Sequence, residues 1–351
     1  MRSPRPAPAK CADGDEKSVD RLPPIAPMSR SAAREITLRF LAAPTDVAKL
    51  SSTIHHGKLL EWIDKAGYAC AVGWSRSYCV TAYVGNIRFA RSVESGHLVE
   101  VNAKLVYTGR SSMHVLCRVA AADPRDGMFI EACSCLVIFV AVDEGGRSRA
   151  VPVWEPIDAV DRALADEARR AIGLRSEIED MMRAQDYSGQ STSTCSLTRF
   201  MAAPTDVNWG GKVHGGNAMR WIDETATLCG MAWNGTECVS AYAGGVRFYR
   251  PIQIGHLVEV DARLLHTGEQ TMHISIHVRS GDPRTLDMQL TTHCLTVLTP
   301  LDDHGNVITV RPWLPRTEEE RRLDAHAVEL AKVRTKLDGS PLFGRSIEAP
   351  M

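Results

Sequence analysis

Two aspartates stand at matching places in two similar segments of the chain. The segment TIHHGKLLEWIDKAG begins at Thr53 and contains Asp64, and the segment KVHGGNAMRWIDETA begins at Lys212 and contains Asp223. In both, a histidine and a glycine precede an apolar run that ends in Trp-Ile-Asp. A carboxylate two turns into a largely buried helix is suited to act as a general base or as a nucleophile. These two aspartates are therefore the first candidates for chemistry.

The residues just before each aspartate are suited to bind an oxygen atom on which negative charge develops during a reaction. Gly215 and Gly216 follow His214 at the expected start of a helix, where backbone N–H groups lack partners within the helix and attract anionic oxygen. Glycine also allows a ligand to approach the backbone closely. In the first segment His56 replaces the first glycine, so we expect a hindered approach there. We expect His55 and His214 to cap their loops or line a pocket.

The aspartates need a helix and a sheet to hold them. From about residue 57 to residue 73, apolar residues recur at steps of three and four, which predicts a helix with one apolar face. A short strand, residues 36–40, precedes it. The runs CVTAYVGNIRF, HLVEVNAKLVYTG, SSMHVLCRVAAAD and FIEACSCLVIFVAVD follow it and are typical of strands separated by turns. This order predicts an α+β fold in which an antiparallel sheet wraps around one helix.

The whole pattern occurs twice. FLAAPTDV at Phe40 returns as FMAAPTDV at Phe200, and GHLVEVNAKLVYTG at Gly96 returns as GHLVEVDARLLHTG at Gly255. A repeat this long is a domain rather than a unit of a solenoid. We predict a disordered N-terminal segment (1–30), a first domain (31–155), a helical linker (156–192), a second domain (193–315) and a C-terminal helix and tail (316–351).

Composition argues against several classes of protein. Among 351 residues, 41 basic residues balance 42 acidic ones, so neither nucleic acid nor an anionic membrane is expected as the main partner. The chain contains no apolar run of about 18 residues that would span a bilayer, and its first 30 residues lack an apolar signal segment. We therefore expect a cytoplasmic protein. The ten cysteines, such as Cys70 and its counterpart Cys229, lie largely in apolar runs and are expected to be small buried residues without disulfides or metal.

The order of the motifs resembles that of the hotdog acyl-CoA thioesterases. The resemblance rests on a helix that opens with HGG and runs to WID, followed by GH-x-V-x-V, TG-x-x-SM and VAVD-x-x-GRSR-x-VP. Its double occurrence, over about residues 35–155 and 195–315, is similar to the cytosolic double-hotdog acyl-CoA hydrolases. The resemblance implies a tandem double hotdog whose two sheets pair edge to edge, with active sites at the interface of the pair.

The resemblance also implies which residues form a site. The family takes an Asn from the loop before one helix and an acidic residue from the other helix. Asn208 stands at the place of that Asn in the second copy, whereas Ala48 and Lys49 stand there in the first. We therefore expect one complete site, formed by Asn208 and Asp64, and a degenerate second site at Asp223. Hydrolysis of a thioester there needs no metal or redox cofactor, and coenzyme A enters as part of the substrate.

Coenzyme A carries phosphates, which bind to arginines and hydroxyls. Two turns of the first copy offer such groups, namely Thr108, Gly109, Arg110, Ser111 and Ser112 in one turn, and Arg147 and Arg149 in the other. The matching turns of the second copy lack these arginines. We expect the coenzyme contacts to be richer in the first copy.

The expected function is hydrolysis of fatty acyl-CoA to free fatty acid and coenzyme A. One alternative is a non-catalytic protein that binds acyl-CoA or regulates its use, because the absence of one Asn shows that a site can decay in this chain. The other is a hotdog dehydratase or hydratase, which is less favoured because His55 and His214 precede their helices instead of pairing with an acid in the family's other frame. By resemblance alone, the double hotdogs assemble as a homotrimer.

Overall fold

The computed structural model of the chain describes residues 29–47, 53–85, 87–188 and 191–336. Ala48 and Lys49 lie outside the described residues, as do nearly all of the N-terminal segment predicted to be disordered and the chain beyond residue 336. The described chain is an α+β double hotdog, as the sequence predicts. No helix within these ranges has the length and apolar character that crossing a bilayer requires.

The two repeats share one order of long helices and strands, and the first repeat has an additional short helix and an additional short strand. The helices are α1 (Arg30–Ala33), α2 (His56–Ser75), α3 (Ala159–Arg183), α4 (Gly215–Asn234) and α5 (Glu318–Thr335). The strands of the first repeat are β1 (Glu35–Leu41), β2 (Cys79–Val84), β3 (Ile87–Phe89), β4 (Leu98–Thr108), β5 (Ser112–Ala122) and β6 (Ile130–Ala141). Those of the second are β7 (Cys195–Met201), β8 (Glu237–Phe248), β9 (Leu257–Thr267), β10 (Met272–Gly281) and β11 (Gln289–Leu301).

The two repeats share one antiparallel sheet of eleven strands, in the order β1-β4-β5-β6-β2-β8-β11-β10-β9-β7, with β3 paired to both β6 and β8. The junction lies between β2 and β8, where Tyr83 pairs with Arg247 and Val84 with Val246. Because the strands at the junction belong to different repeats, the edge-to-edge pairing that the resemblance implies is present within one chain.

The inner face of the sheet packs on α2 and α4. On α2 the buried face contains Leu59, Ile63, Ala66 and Cys70, all with no exposed surface, as the three- and four-residue spacing predicts. Gly67 lies so close to the sheet that a Cβ there would be 2.7 Å from Cε2 of Phe139. The described cysteines are free thiols, and all except Cys195 are buried.

The outer face of the sheet carries a second apolar cluster beneath α3 and α5. Successive residues of β5 point to opposite faces, so Val115 joins the inner core while Leu116 contacts the outer cluster with Ile178 of α3 and Leu330 of α5. Asp161, fully buried near the start of α3, binds Lys104 of β4 at 2.8 Å. The charge-rich linker therefore contains a helix with one buried face rather than a fully solvated one.

Candidate active site

Each of the two candidate aspartates accepts a hydrogen bond from the other repeat. The Gly216 N–H at the start of α4 donates to Oδ2 of Asp64 on α2, at 2.8 Å. In the mirror arrangement the Gly57 N–H at the start of α2 donates to Oδ2 of Asp223 on α4, at 2.9 Å. The expectation of an unsatisfied N–H at Gly216 is therefore wrong for this structure. The carboxylate of the neighbouring helix occupies it, because an N-terminal helix dipole attracts a nearby anion.

Glycine is required where α2 and α4 touch. A Cβ on Gly216 would lie 2.7 Å from Cα of Glu61, and one on Gly57 would lie 2.9 Å from Cα of Arg220. A Cβ on Gly215 would lie 2.8 Å from Oγ1 of Thr81. The glycines thus bring each helix start within hydrogen-bond distance of the opposite aspartate.

Asp64 has no exposed surface and is held at both oxygens. The Thr81 hydroxyl on β2 donates to Oδ1 at 2.6 Å, and the Gly216 N–H donates to Oδ2. His214, the N-cap residue of α4, forms an ion pair with Oδ2 through Nδ1. Burial opposes the charged imidazole, but the Asp64 carboxylate outweighs it and raises the pKa of His214 above its ordinary value. The contact with Asp64 therefore favours the protonated form of His214.

Asn208 holds its own loop and joins it to the other repeat. Its Oδ1 accepts hydrogen bonds from the N–H groups of Gly210 at 2.9 Å and Lys212 at 3.1 Å, and from the Tyr78 hydroxyl at 3.1 Å. Among the described residues, its Nδ2 makes a single long bond of 3.4 Å, to the carbonyl of Val213. The structure gives Asn208 no hydrogen bond to Asp64. The two are linked through the backbone, because His214, which contacts Asp64, follows Val213 directly.

An aromatic wall borders this loop. Trp209, 74% exposed, stacks on Tyr68 of α2 with a centroid distance of 4.8 Å. Burial raises the pKa of Tyr68 to about 12, so its phenol is neutral at physiological pH. Tyr78 also covers Gly210, where a Cβ would lie 2.2 Å from Cζ of the ring.

Sequence reasoning missed Tyr68, Tyr78, Thr81 and Trp209. The repeat itself contained a signal for two of them. At matching positions of the second repeat, Thr227 replaces Tyr68 and Glu237 replaces Tyr78. Because these tyrosines occur in only one copy, they indicate that the surroundings of Asp64 differ from those of Asp223.

Asp223 has a similar set of partners. It accepts from the Ser240 hydroxyl and the Gly57 N–H, and Nδ1 of His55 lies 3.2 Å from its Oδ2. The His56 ring turns onto Phe89 and stacks there at 4.0 Å, and the Gly57 contact with Asp223 is in place. The expected hindrance of a ligand at this backbone stays a prediction. Burial lowers the pKa of His56 to about 4, so its ring is neutral at physiological pH.

The two turns predicted to bind coenzyme A lie side by side. The Val151 N–H donates to the Arg110 carbonyl, and the Ala141 carbonyl accepts from the Arg149 N–H while its own N–H donates to the Ser111 carbonyl. Gly109 and Ser112 close the first turn through a backbone hydrogen bond of 2.9 Å.

Two of the side chains in these turns already have partners. The Thr108 hydroxyl accepts from the Trp154 N–H at 2.9 Å, and the Arg147 side chain binds Asp143 at 3.2 Å. The turns lie on the same side of the molecule as Asp64. Ala141 pairs with Cys79, two residues before Thr81 on β2, and Thr81 contacts Asp64.

Comparison with known proteins identifies the family. The model of the thioesterase superfamily matches residues 51–128 and 210–286, one match in each repeat. Both repeats of this chain belong to the thioesterase superfamily. Each matched segment includes the helix start and the aspartate described above.

Two relatives and one solved structure show how far the similarity extends along the chain. The cytosolic acyl coenzyme A thioester hydrolase of Rattus norvegicus is 22% identical over 296 residues, which cover 79% of this chain and 77% of the relative. Protein VdlD of Helicobacter pylori is 26% identical over 140 residues, which cover 40% of this chain and 80% of VdlD. The structure described as a putative oleoyl thioesterase from Lactobacillus plantarum shares the fold, with a TM-score of 0.55 and 12% identity over 78% of this chain and 99% of that one.

Proposed function

We propose that this chain hydrolyses acyl-CoA thioesters to a free fatty acid and coenzyme A at one composite site. The site consists of Asp64 from the first repeat and of Asn208, His214, Gly215 and Gly216 from the second. The observation that carries the proposal is the buried Asp64 carboxylate, bound by the Gly216 N–H of the other repeat at 2.8 Å. The relatedness to acyl-CoA thioester hydrolases supports the substrate class.

Asp64 supplies the reactive oxygen in either of two routes. As a general base, it takes a proton from a water molecule that attacks the acyl carbon. As a nucleophile, it attacks the acyl carbon itself, forms a mixed anhydride and releases the coenzyme A thiolate; water then cleaves the anhydride to the free fatty acid and restores the carboxylate. The Thr81 hydroxyl at 2.6 Å holds Oδ1 in either case, and Oδ2 reacts once the thioester oxygen has taken over the Gly216 N–H.

Negative charge on the thioester oxygen is stabilised at the start of α4. When a thioester enters, its carbonyl oxygen takes over the Gly216 N–H that Asp64 holds in the free structure. Removing one preorganised donor of this kind typically costs about 3–4 kcal/mol in the transition state. His214, whose pKa is raised by the Asp64 carboxylate, lies beside the same point.

Asn208 orients the attacking water or adds a second donor to the thioester oxygen. Its Nδ2 is the atom of the amide that can donate to water or substrate, since Oδ1 accepts three hydrogen bonds and Nδ2 makes one long bond of 3.4 Å. Tyr78 is a positioning residue for this amide, because its hydroxyl holds Oδ1 from the first repeat.

The Asp223 side lacks an equivalent of this amide, because Ala48 and Lys49 replace the Asn in sequence. Coenzyme contacts also favour the Asp64 side. Near Asp223, a cavity is lined by Gln270 and Val307 from the two turns of the second repeat. Because the two repeats correspond, we expect the matching turns of the first repeat, with Arg110, Arg147 and Arg149, to lie beside Asp64.

Thiol release from acyl-CoAs of increasing chain length tests the proposal. Wild type, Asp64→Ala, Asn208→Ala and Asp223→Ala are compared. We expect Asp64→Ala and Asn208→Ala to lose at least about 100-fold in kcat/KM, in line with the loss of a general base or a fixed donor. Asp223→Ala should retain most of the activity.

Three outcomes contradict the proposal. If Asp223→Ala is the variant that abolishes turnover, the site is on the other side. If wild type binds acyl-CoA without releasing thiol, the chain is a binding protein. If the absorbance of an enoyl thioester changes instead, the chain is a dehydratase or hydratase.

The sequence and the resemblance together support three further proposals. We propose a homotrimer, a cytoplasmic location and catalysis without metal. Light scattering tests the first, fluorescence microscopy of a tagged chain the second, and activity after dialysis against EDTA the third.

A further inference from the structure

The aromatic wall, formed by Tyr68, Tyr78 and Trp209, lies beside the proposed site. Tyr68 follows Asp64 by four residues on α2, so the two side chains lie on the same face of the helix. The ring centroids of Tyr68 and Trp209 are each 6.1 Å from that of His214, which contacts Asp64. The wall therefore begins one side chain away from the carboxylate that is proposed to react.

Trp209 presents most of its indole to solvent. The residue is 74% exposed, and Tyr68 stacks on one face of its ring at 4.8 Å and 7°. The exposed surface therefore lies mainly on the other face and on the edges of the ring. A tryptophan this exposed contributes little to the hydrophobic core. An exposed apolar surface beside a group suited to chemistry is typical of a place where a ligand binds.

The first repeat holds the loop on both sides of Trp209. The Tyr78 hydroxyl donates to Oδ1 of Asn208, the residue before Trp209, at 3.1 Å. The Tyr78 ring also covers Gly210, the residue after Trp209, where a Cβ would lie 2.2 Å from Cζ of the ring. The indole is therefore fixed in place before a ligand arrives, and a ligand that contacts it has little further ordering to cause.

The aromatic wall is uncharged. Burial raises the pKa of Tyr68 to about 12 and also raises the pKa of Tyr78, so both phenols are neutral at physiological pH. Phosphates bind to cations, and these three rings offer none. The arm of coenzyme A leads from the thioester to its phosphates, which we expect at the arginine turns between the strands. The wall belongs instead to the helix side of Asp64, where the uncharged acyl group remains to be bound.

We propose that Trp209 is a specificity-determining residue whose exposed face binds the acyl group of the substrate, so that long acyl groups are favoured over acetyl. This inference rests on the proposed function, because it takes Asp64 as the reacting group. A two-carbon acyl group ends beside Asp64. A longer chain continues past His214 onto the indole and buries apolar surface there.

Thiol release from acetyl-CoA, octanoyl-CoA and palmitoyl-CoA, each below its micelle concentration, tests this role. We expect Trp209→Ala to lower the ratio of kcat/KM for palmitoyl-CoA to kcat/KM for acetyl-CoA at least about tenfold, mainly through KM. Trp209→Phe should keep most of the ratio, because an aromatic ring remains. An equal loss for all three substrates would mean that the change only disturbs the Asn208 loop, and it would overturn the proposal.

Two further variants separate the wall from a general surface effect. Tyr68→Thr introduces the residue of the matching position in the second repeat, removes the support of Trp209 and should lower the same ratio. Leu228→Ala is the matched control, because Leu228 is 54% exposed and follows Thr227, the counterpart of Tyr68, on the Asp223 side. The ratio should be unchanged in this control. Equal shifts in Leu228→Ala and Trp209→Ala would contradict the proposal.

Calorimetric titration separates the acyl contact from hydrolysis. In an Asp64→Asn background, Trp209→Ala should weaken palmitoyl-CoA at least about tenfold and change the affinity for coenzyme A less than about twofold. Equal weakening of both ligands would assign the wall to the coenzyme and overturn the proposal, as would unchanged affinity for palmitoyl-CoA. If wild type releases no thiol but Trp209→Ala weakens palmitoyl-CoA alone, the proposed hydrolysis is overturned and the acyl contact stands.

Discussion

The Asp64 and Asp223 sides of the molecule share the same framework. Each aspartate accepts from a hydroxyl on a neighbouring strand, Thr81 or Ser240, and from the N-terminal N–H of the opposite helix. They differ in the side chains around that framework. The Asp64 side has Asn208 and an aromatic wall, whereas the Asp223 side has a histidine in place of the first glycine and an arginine-lined cavity.

This difference separates what the fold requires from what chemistry requires. The helix-to-helix contact needs glycine at Gly57 and Gly216 and an acceptor opposite, so both copies keep them. The fold does not require Asn208 or Tyr78, because the second framework exists with other residues at the matching positions. Substitutions that exchange features between the two sides therefore test the comparison.

The largest effect is expected from Gly215→His, which gives the Asp64 side the residue found at position 56. A Cβ there would lie 2.8 Å from Oγ1 of Thr81 and 3.2 Å from Oδ2 of Asp64, so both must move. Misplacement of a reacting group by about 1 Å can cost about 100-fold in rate. We expect at least that loss in kcat for thiol release.

The reciprocal change, His56→Gly, serves as the control on the other side. It should change kcat less than about threefold, because the proposed chemistry does not use Asp223. A comparable loss in both variants would mean that the two sides act together.

A smaller effect is expected from Thr81→Val, compared with Ser240→Ala. The Thr81 hydroxyl donates to the Asp64 carboxylate at 2.6 Å, and a hydrogen bond to a charged group contributes about 1.5–3 kcal/mol. We expect kcat to fall about 10–100-fold in Thr81→Val with little change in KM. Equal kinetics in Thr81→Val and wild type would remove Thr81 from the site.

Tyr78→Phe should have a milder effect, since Tyr78 acts through Asn208. Loss of its hydrogen bond to Oδ1, about 1 kcal/mol, should lower kcat about fivefold while the chain remains folded. Glu237→Gln, at the matching position of the second repeat, is the control and should leave kcat unchanged. A double variant with Asn208→Ala sharpens the test, because Tyr78→Phe should then add no further loss.

The smallest effect concerns stability and the outer face of the sheet. His277 and His293 stack at 3.9 Å in the second repeat, where the first repeat has Arg118 and Ser134. Burial, with the nearby His326 and Arg279, lowers the pKa of His293 to about 3. Below pH 6.5, His293 therefore binds a proton in the unfolded chain but not in the folded chain, and the free energy of unfolding decreases as the pH falls.

His293→Ser introduces the residue of the first repeat and removes this dependence. Between pH 7 and pH 6, wild type should lose about 0.7 kcal/mol more of its free energy of unfolding than the variant. Urea unfolding at both pH values measures the difference. Parallel changes in wild type and variant would show that His293 is protonated in the folded chain.

Much of the fold was predictable from the sequence. The helix over residues 57–73 is observed as His56–Ser75, and the strand over residues 36–40 as Glu35–Leu41. Such elements follow from local spacing of apolar residues, and the repeat doubles the evidence for each. The buried face of α3 was not predicted, because its charged residues dominate the local pattern and its apolar stripe is covered only in the folded sheet.

The sequence also indicated both aspartates and Asn208 as candidates, and their catalytic roles remain predictions. It did not indicate that Asp64 would occupy the Gly216 N–H, or that Tyr78 would hold Asn208. These partners are 152 and 130 residues apart in the chain. No local spacing relates such positions.

By itself, then, the sequence determined that this protein has two copies of one helix-and-sheet unit and that only one copy carries the loop Asn. Periodicity and repetition can be read directly from the linear chain, because they depend only on the order of residue types. Only the tertiary structure decided which helix start binds which aspartate and where a cavity remains beside Ser240. Those features depend on how closely α2 and α4 approach and on how the two half-sheets join, and both are set by packing between residues far apart in the chain.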